Sequence, residues 1–182
     1  MKTLLSAFRL LCVLTVLTGV IYPVAVWSVG RLAWHDAAEG SLLRRDGRLV
    51  GSSLLAQKTS DPRYFWPRPS AGDYATVASG ASNLAWTSAK LAAAVAGRRV
   101  SSGTEAAPDR LTTSGSGLDP ELSLLAIRSQ LSRVAAARHL TANQQNKLDD
   151  LVAGQVKGGQ ITPARINVLK LNLALDAAFP PP

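Results

Sequence analysis

Three observations predict an α+β fold with one N-terminal transmembrane helix followed by a single extracytoplasmic domain of short strands and several helices. Residues 10–30 contain no Asp, Glu, Lys or Arg. At about 1.5 Å per residue, a helix of that stretch matches the ~30 Å hydrocarbon core of a bilayer. Asp46-Gly47 sits between two short runs, Leu42-Leu43-Arg44-Arg45 and Arg48-Leu49-Val50-Gly51, and supplies the positive φ angles of a tight primed turn, so a hairpin is expected near 42–50. Beyond residue 87, apolar residues recur at helical spacing between caps and Gly/Pro breaks. The domains are therefore a cytoplasmic N-terminus (1–9), a transmembrane helix (10–30) and an α+β domain (31–182).

The span reads as a retained anchor. A cleaved signal ends in small residues at an Ala-x-Ala-like site, whereas Val26-Trp27-Ser28-Val29-Gly30-Arg31-Leu32-Ala33-Trp34 is bulky. Cys12, the chain's sole cysteine, is preceded by Leu10 and Leu11 where lipidation needs small residues, and it can form no internal disulfide. Lys2 and Arg9 precede the span. A short basic N-terminus ahead of a first span argues for N-inside, because long domains translocate largely regardless of charge. That orientation places the folded domain outside, on the far face of the membrane, with Trp27 and Trp34 at the outer lipid interface. Thr15, Gly19, Pro23, Val26 and Gly30 share one helix face. Either they admit another helix's backbone, or they are ordinary membrane-helix residues with Pro23 as a kink.

Residues 33–41 continue the helix in polar form, ending near Gly40. After the hairpin, residues 61–74 carry four of the ten aromatics among three prolines, which exclude regular helix or central strand. Arg63, Tyr64, Phe65, Trp66 and Arg68 here could form a partner-docking surface, or Phe65 and Trp66 could plug the domain's own core. Residues 78–84 are a small-residue loop. Thr87–Arg99 is an Ala-rich helix capped by Thr87 or Ser88, and 98–110 is expected to be an exposed loop. Thr112–Leu118 reads as a strand-like start running into a Gly/Ser turn. Asp119-Pro120-Glu121 then starts a helix that runs to about His139, with Leu124, Ile127, Leu131 and Val134 on its apolar face. Gln130, Arg133 and Arg138 fall off that face; Gln130 and Arg133 join the docking candidates. Thr141–Ala153 is a second helix, turning Leu148, Leu151 and Val152 inward and broken at Gly158-Gly159. Ile161–Phe179 opens as a strand through Val168 and continues as a helix, and Pro180–Pro182 is a frayed tail.

Chemistry-bearing motifs are missing from the sequence. His35 and His139 stand apart from any Cys or acid at metal-ligand spacing. Ser114-Gly115-Ser116-Gly117 lacks the first glycine of a nucleophile elbow. Gly97–Thr104 has neither the spacing nor the lysine of a P-loop. Beyond Lys2 and Arg9, 18 basic residues face 12 acidic ones, scattered without the stripe that nucleic acid requires. From these residues alone the chain is a single-span, membrane-anchored accessory or binding protein.

One family matches the residues in order over nearly the whole chain. Its segments are Thr18-Gly19-Val20-Ile21-Tyr22-Pro23, Gly51-Ser52, Asp61–Phe65, Arg68–Ala71, Ser79-Gly80, Ser82–Leu84, Thr113–Pro120, Gln130 with Arg133–Ala135, and Asn167–Asp176. Together these resemble the C subunit of the Kdp-type potassium-transporting P-type ATPase. The resemblance implies an accessory, non-catalytic subunit of an ATP-driven, high-affinity potassium uptake complex. Its partners would be a channel-like potassium-binding subunit and a P-type ATPase subunit. ATP and potassium would be handled by the complex, with no cofactor bound directly by this chain. It further implies a catalytic-chaperone role in ATP affinity through a loop here formed by Ser79, Gly80, Ala81, Ser82 and Asn83. The chain departs from the family pattern at Val77 (Gln), Ala81 (a second Gly) and Ala85-Trp86. Val77 offers no hydrogen bond to a nucleotide, and a Cβ at position 81 restricts backbone approach. The alternatives are an anchored extracytoplasmic binding module unrelated to transport, and a secreted enzyme after signal cleavage.

Overall fold

A computed structural model describes residues 2–102 and 106–180. The chain divides into two compact units, 1–42 and 43–182.

In the first unit a 32-residue apolar helix runs Lys2–Ala33, none of it buried in the chain. It comprises α1 (Lys2–Val16), a π turn (Leu17–Ile21) and α2 (Tyr22–Ala33). The π turn has a local cause. Pro23 has no N–H, so the ordinary helical bond to the Gly19 carbonyl cannot form, and the Tyr22 N–H reaches back to Leu17 instead. The hydroxyls of Thr18 and Ser28 are satisfied inside the helix, donating to the carbonyls of Leu14 at 2.7 Å and Val24 at 2.8 Å. At Trp34 (φ −138°, ψ 55°) the helix breaks, and a single turn, α3 (His35–Ala38), leads to Gly40 at φ 87°. Arg31 stacks 5.1 Å over Trp27 and pairs with Glu39 at 3.0 Å.

The second unit opens with the expected hairpin, β1 (Leu42–Arg45) and β2 (Arg48–Ser52), with Asp46 at φ 50° and Gly47 at φ 74°. A long irregular stretch follows to α4 (Ala89–Ser102), then α5 (Pro108–Leu111). The expectation of an exposed loop over 98–110 is corrected. Helix α4 runs on through Ser102, and Ala107 and Leu111 are buried; residues 103–105 lie outside the described set.

Two further corrections concern 112–139. Thr112–Leu118 forms no strand. It is a turn built on the buried Ser114 hydroxyl, which accepts from the N–H of Gly117 (3.1 Å) and of Asp119 (3.3 Å). The helix expected at Asp119-Pro120-Glu121 begins later, because Asp119 accepts from the Glu121 N–H as a local turn. Glu121–Ser123 is strand β3, antiparallel to β4 (Arg165–Asn167), with Leu122 opposite Ile166 and both fully buried. Ser123 caps the helix that follows, its hydroxyl accepting from Ala126 N–H at 3.1 Å. That helix is two pieces, α6 (Leu124–Arg128) and α7 (Leu131–Ala137), with Gln130 in the break.

Helix α8 (Ala142–Gly154) carries a capping box between Thr141 and Gln144. Asn167 ends β4 and caps α9 (Val168–Ala178), accepting from Lys170 N–H at 3.0 Å, so the expected strand stops one residue short of Val168. Of the tail expected at 180–182, Pro181 and Pro182 lie outside the described residues. The core sits between the β3–β4 pair and helices α6–α9, with Ile127, Val134, Leu148, Leu171 and Leu175 at its centre.

Candidate functional site

Residues 61–66 have no secondary structure of their own, so their backbone groups need side-chain partners. Helices α6–α7 and α9 supply them. Phe65 is fully buried in the core, and Asn172 of α9 grips its peptide from both sides. The Phe65 N–H donates to Asn172 Oδ1 at 2.9 Å, and Asn172 Nδ2 donates to the Phe65 carbonyl at 2.9 Å. Gln130 does the same for Trp66, its Oε1 accepting from the Trp66 N–H at 2.8 Å while Nε2 donates to the Trp66 and Ala126 carbonyls. Arg133 Nη1 donates to the carbonyls of Pro62 (2.6 Å) and Tyr64 (3.0 Å), and Nη2 to Gln130 Oε1 (2.7 Å). The same guanidinium lies 3.9 Å over the Trp66 ring. Trp66 Nε1 closes the turn onto the Asp61 carbonyl at 2.9 Å.

Beneath the loop is a buried ionic knot. Asp176 of α9 accepts from Arg138 Nη2 at 2.5 Å, from the Tyr64 hydroxyl at 3.0 Å and from Arg45 of the hairpin. Arg138 also donates to the carbonyls of Arg63 (2.8 Å) and Phe179 (2.5 Å) and stacks 4.9 Å from the Tyr64 ring. Gln130 and Arg138 were expected off the apolar face; both are buried, because the break between α6 and α7 and the loop packed against them turn that side inward. The Asp176 carboxylate, with the paired bond behind it, holds the Arg45 guanidinium above its usual range. Arg63, bonded through its side chain, holds the Asp61 carboxyl at about 2. Burial, with Arg110 nearby, lowers Arg133 to about 10.

The other sequence-predicted residues fall as follows. Arg68 pairs with Asp119 at 3.5 Å. Phe65 and Gln130 are buried and face inward, whereas Arg63, Tyr64, Trp66, Arg68 and Arg133 keep partial exposure. In the loop at 79–83, Ser79, Ala81 and Asn83 are exposed, Asn83 is left-handed at φ 51°, and Gly80 lies under Gly117. A Cβ at Gly117 (φ 75°) would stand 2.9 Å from the Gly80 carbonyl, so the two turns touch backbone to backbone. Of the helix face, Thr15, Gly19, Pro23 and Val26 are exposed and Gly30 is half-buried, and no heavy atom lies within 4 Å of a Cβ built on either glycine. Positions spaced by four drift about 40° per step on a regular α-helix. The wider π turn takes up part of that drift between Thr15 and Pro23.

Residues 4–177 match the family model described as KdpC: K+-transporting ATPase, c chain. The chain belongs to the KdpC family. It is 43% identical to the potassium-transporting ATPase KdpC subunit of Serratia proteamaculans, covering 97% of this chain and 99% of that protein. The subunit of the same name from Mycobacterium tuberculosis H37Rv is 43% identical over 96% and 98% of the two chains. That of Leptospira interrogans is 42% identical over 95% and 93%. As a KdpC-family member the chain is a subunit of a potassium-transporting ATPase, with one N-terminal helix long and apolar enough to cross a membrane.

Arg45, Arg138, Asn172 and Asp176 had no place among the sequence-level site residues. One signal was readable: Asn172 and Asp176, four apart, form a polar pair on one face of a helix whose other residues, Lys170 aside, are apolar. Arg138 gave none, because its partners come from segments distant in sequence.

Proposed function

We propose that this subunit is an accessory, non-catalytic part of the complex, tying together a channel-like potassium-binding subunit and the ATP-hydrolysing P-type ATPase subunit. The observation that carries this reading is the helix Lys2–Ala33, long and apolar enough to cross a membrane, in which no described residue is buried. A helix bearing Thr15, Gly19, Pro23 and Val26 on an open face finds close packing only against another membrane helix. Gly19→Leu should reduce the amount of partner subunits recovered with the tagged chain; recovery equal to wild type removes the helix from the assembly.

The folded domain lies outside the membrane in this proposal, held by a cytoplasmic N-terminus. Any effect on ATP affinity then passes through the complex and not through contact between Ser79–Asn83 and nucleotide. Supporting this are Val77 and Ala81, which stand where the family pattern has residues suited to a nucleotide. Val77 is fully exposed. A Val77→Cys variant in a Cys12→Ser background should react with a membrane-impermeant maleimide in intact cells. Labelling only after lysis would reverse the orientation and reopen direct nucleotide contact.

A further inference from the structure

Most cations of the folded domain that lie near the loop have a carboxylate. Arg63 has Asp61, Arg68 has Asp119, Lys58 has Asp73, and Arg45 and Arg138 share Asp176. Arg98, Arg110 and Arg133 have none among the described residues. These three converge on one patch. Arg133 lies 3.9 Å and Arg110 5.7 Å from the centre of the Trp66 ring. Arg110 Nη1 donates to the Trp66 carbonyl, and Arg98 Nη1 donates to the Leu111 carbonyl next door. The Tyr74 hydroxyl, bonded to the Arg68 carbonyl at 2.9 Å, borders the patch and feels the charge of both Arg110 and Arg98.

Arg110 Nε is a buried donor with no hydrogen-bond partner among the described residues. A buried N–H on a charged group loses its water and gains nothing unless an acceptor comes from elsewhere. Burial lowers the basicity of Arg110 and of Arg133, the signature of cations held out of water without a counter-charge. The acids acting on them, Asp109 and Asp61, are each engaged elsewhere. Asp109 accepts from the Ser123 N–H and hydroxyl, and Asp61 from Arg63.

We propose that Arg110 and Arg133, set against Trp66, together with Arg98 beside them at the Leu111 carbonyl, form a docking site for a carboxylate side chain carried by another subunit of the transporter. This rests on the assembly reading above and names the chemistry of one contact. Arginine presents a planar fork suited to bidentate carboxylate binding. A tryptophan under arginine, ringed by half-buried contacts, has the composition of an interface hot spot. Carbonyls of the chain's own loop hold Arg110 and Arg133, and the Leu111 carbonyl at the end of α5 holds Arg98, so the site is ordered before the partner arrives and little is lost in ordering it.

The test uses the full-length chain in its detergent-solubilised complex, comparing wild type, Arg110→Met and, as a control, Arg48→Gln on the exposed end of β2. Methionine keeps the aliphatic packing and removes the orphan donor. Arg110→Met should leave the melting temperature of the purified chain unchanged or higher, weaken retention of the partner subunits about tenfold, and flatten the salt dependence of that retention. Arg48→Gln should change none of these. Retention of Arg110→Met equal to wild type at every salt concentration overturns the site. If wild type itself retains no partner, the assembly reading fails instead. Two outcomes would name another anion and overturn the proposal. One is ~10 mM inorganic phosphate raising the melting temperature of wild type but not of Arg110→Met. The other is Glu105→Gln, outside the described residues, reproducing the effects of Arg110→Met.

Discussion

Two irregular stretches of the folded unit invite comparison, residues 61–71 and 72–88. Both lack strands and helices, and both lie between the hairpin and α4. In the first, the peptides of Phe65 and Trp66 and the carbonyls of Pro62, Arg63 and Tyr64 are bound by side chains from α6–α7 and α9. In the second, Val77 and Trp86 stand almost wholly in solvent; Asp73 and Tyr74 anchor its start, and beyond them Gly80 touches Gly117 backbone to backbone. The difference teaches where order in a loop comes from. Glycine and proline set what the backbone can do, but long side chains from packed helices decide whether it is held.

The largest effect should come from the ionic knot. Asp176→Ala leaves Arg138 buried with its charge uncompensated, and should destabilise the domain by about 3–5 kcal/mol in chemical denaturation. A loss under 1 kcal/mol would mean that the clamp on 61–71 is incidental. Next, Asn172→Ala strands both polar groups of the Phe65 peptide and should cost about 2 kcal/mol. Faster amide exchange should then be confined to 61–71, sharpening the contrast between the loops. Gly117→Ala meets both a positive φ and the Gly80 carbonyl, and should cost about 1–3 kcal/mol while loosening 78–84. For pH, Asp61 is held at about 2 against an ordinary value of 3.8. Its contribution is therefore complete above pH 3.8 and is lost as pH falls toward 2. Asp61→Asn should remove that portion of the acid limb and leave the profile near neutrality parallel to wild type. The smallest change should be Trp86→Ser, within about 0.5 kcal/mol of wild type, since that side chain is 94% exposed.

Elements governed by local chemistry were legible. The Asp46-Gly47 hairpin, the Thr141 cap and the apolar helix all follow from residues within a few positions of one another. The Asp119-Pro120-Glu121 start misled for an instructive reason. Its residues fit a helix N-terminus, yet pairing Leu122 against Ile166 buries two large side chains completely, and that gain outweighs a first helical turn. Gln130 and Arg138 were placed off the apolar face of one continuous helix. The break at Ser129–Gln130 and the packing of residues 61–66 bury that polar side and give Gln130 and Arg138 backbone carbonyls to bond.

By itself, then, the sequence determined a membrane-length helix, a hairpin, the helical second half and membership of a family recognisable from its ordered segments, because each of these is written in contiguous residues. Only the tertiary structure decided what the arginines and aromatics do. Arg138 and Asp176 lie 38 positions apart, and Phe65 and Asn172 lie 107 apart. Whether a buried charge is satisfied inside the chain, as at Asp176, or has no carboxylate partner among the described residues, as at Arg110, depends on which distant segments fold against it.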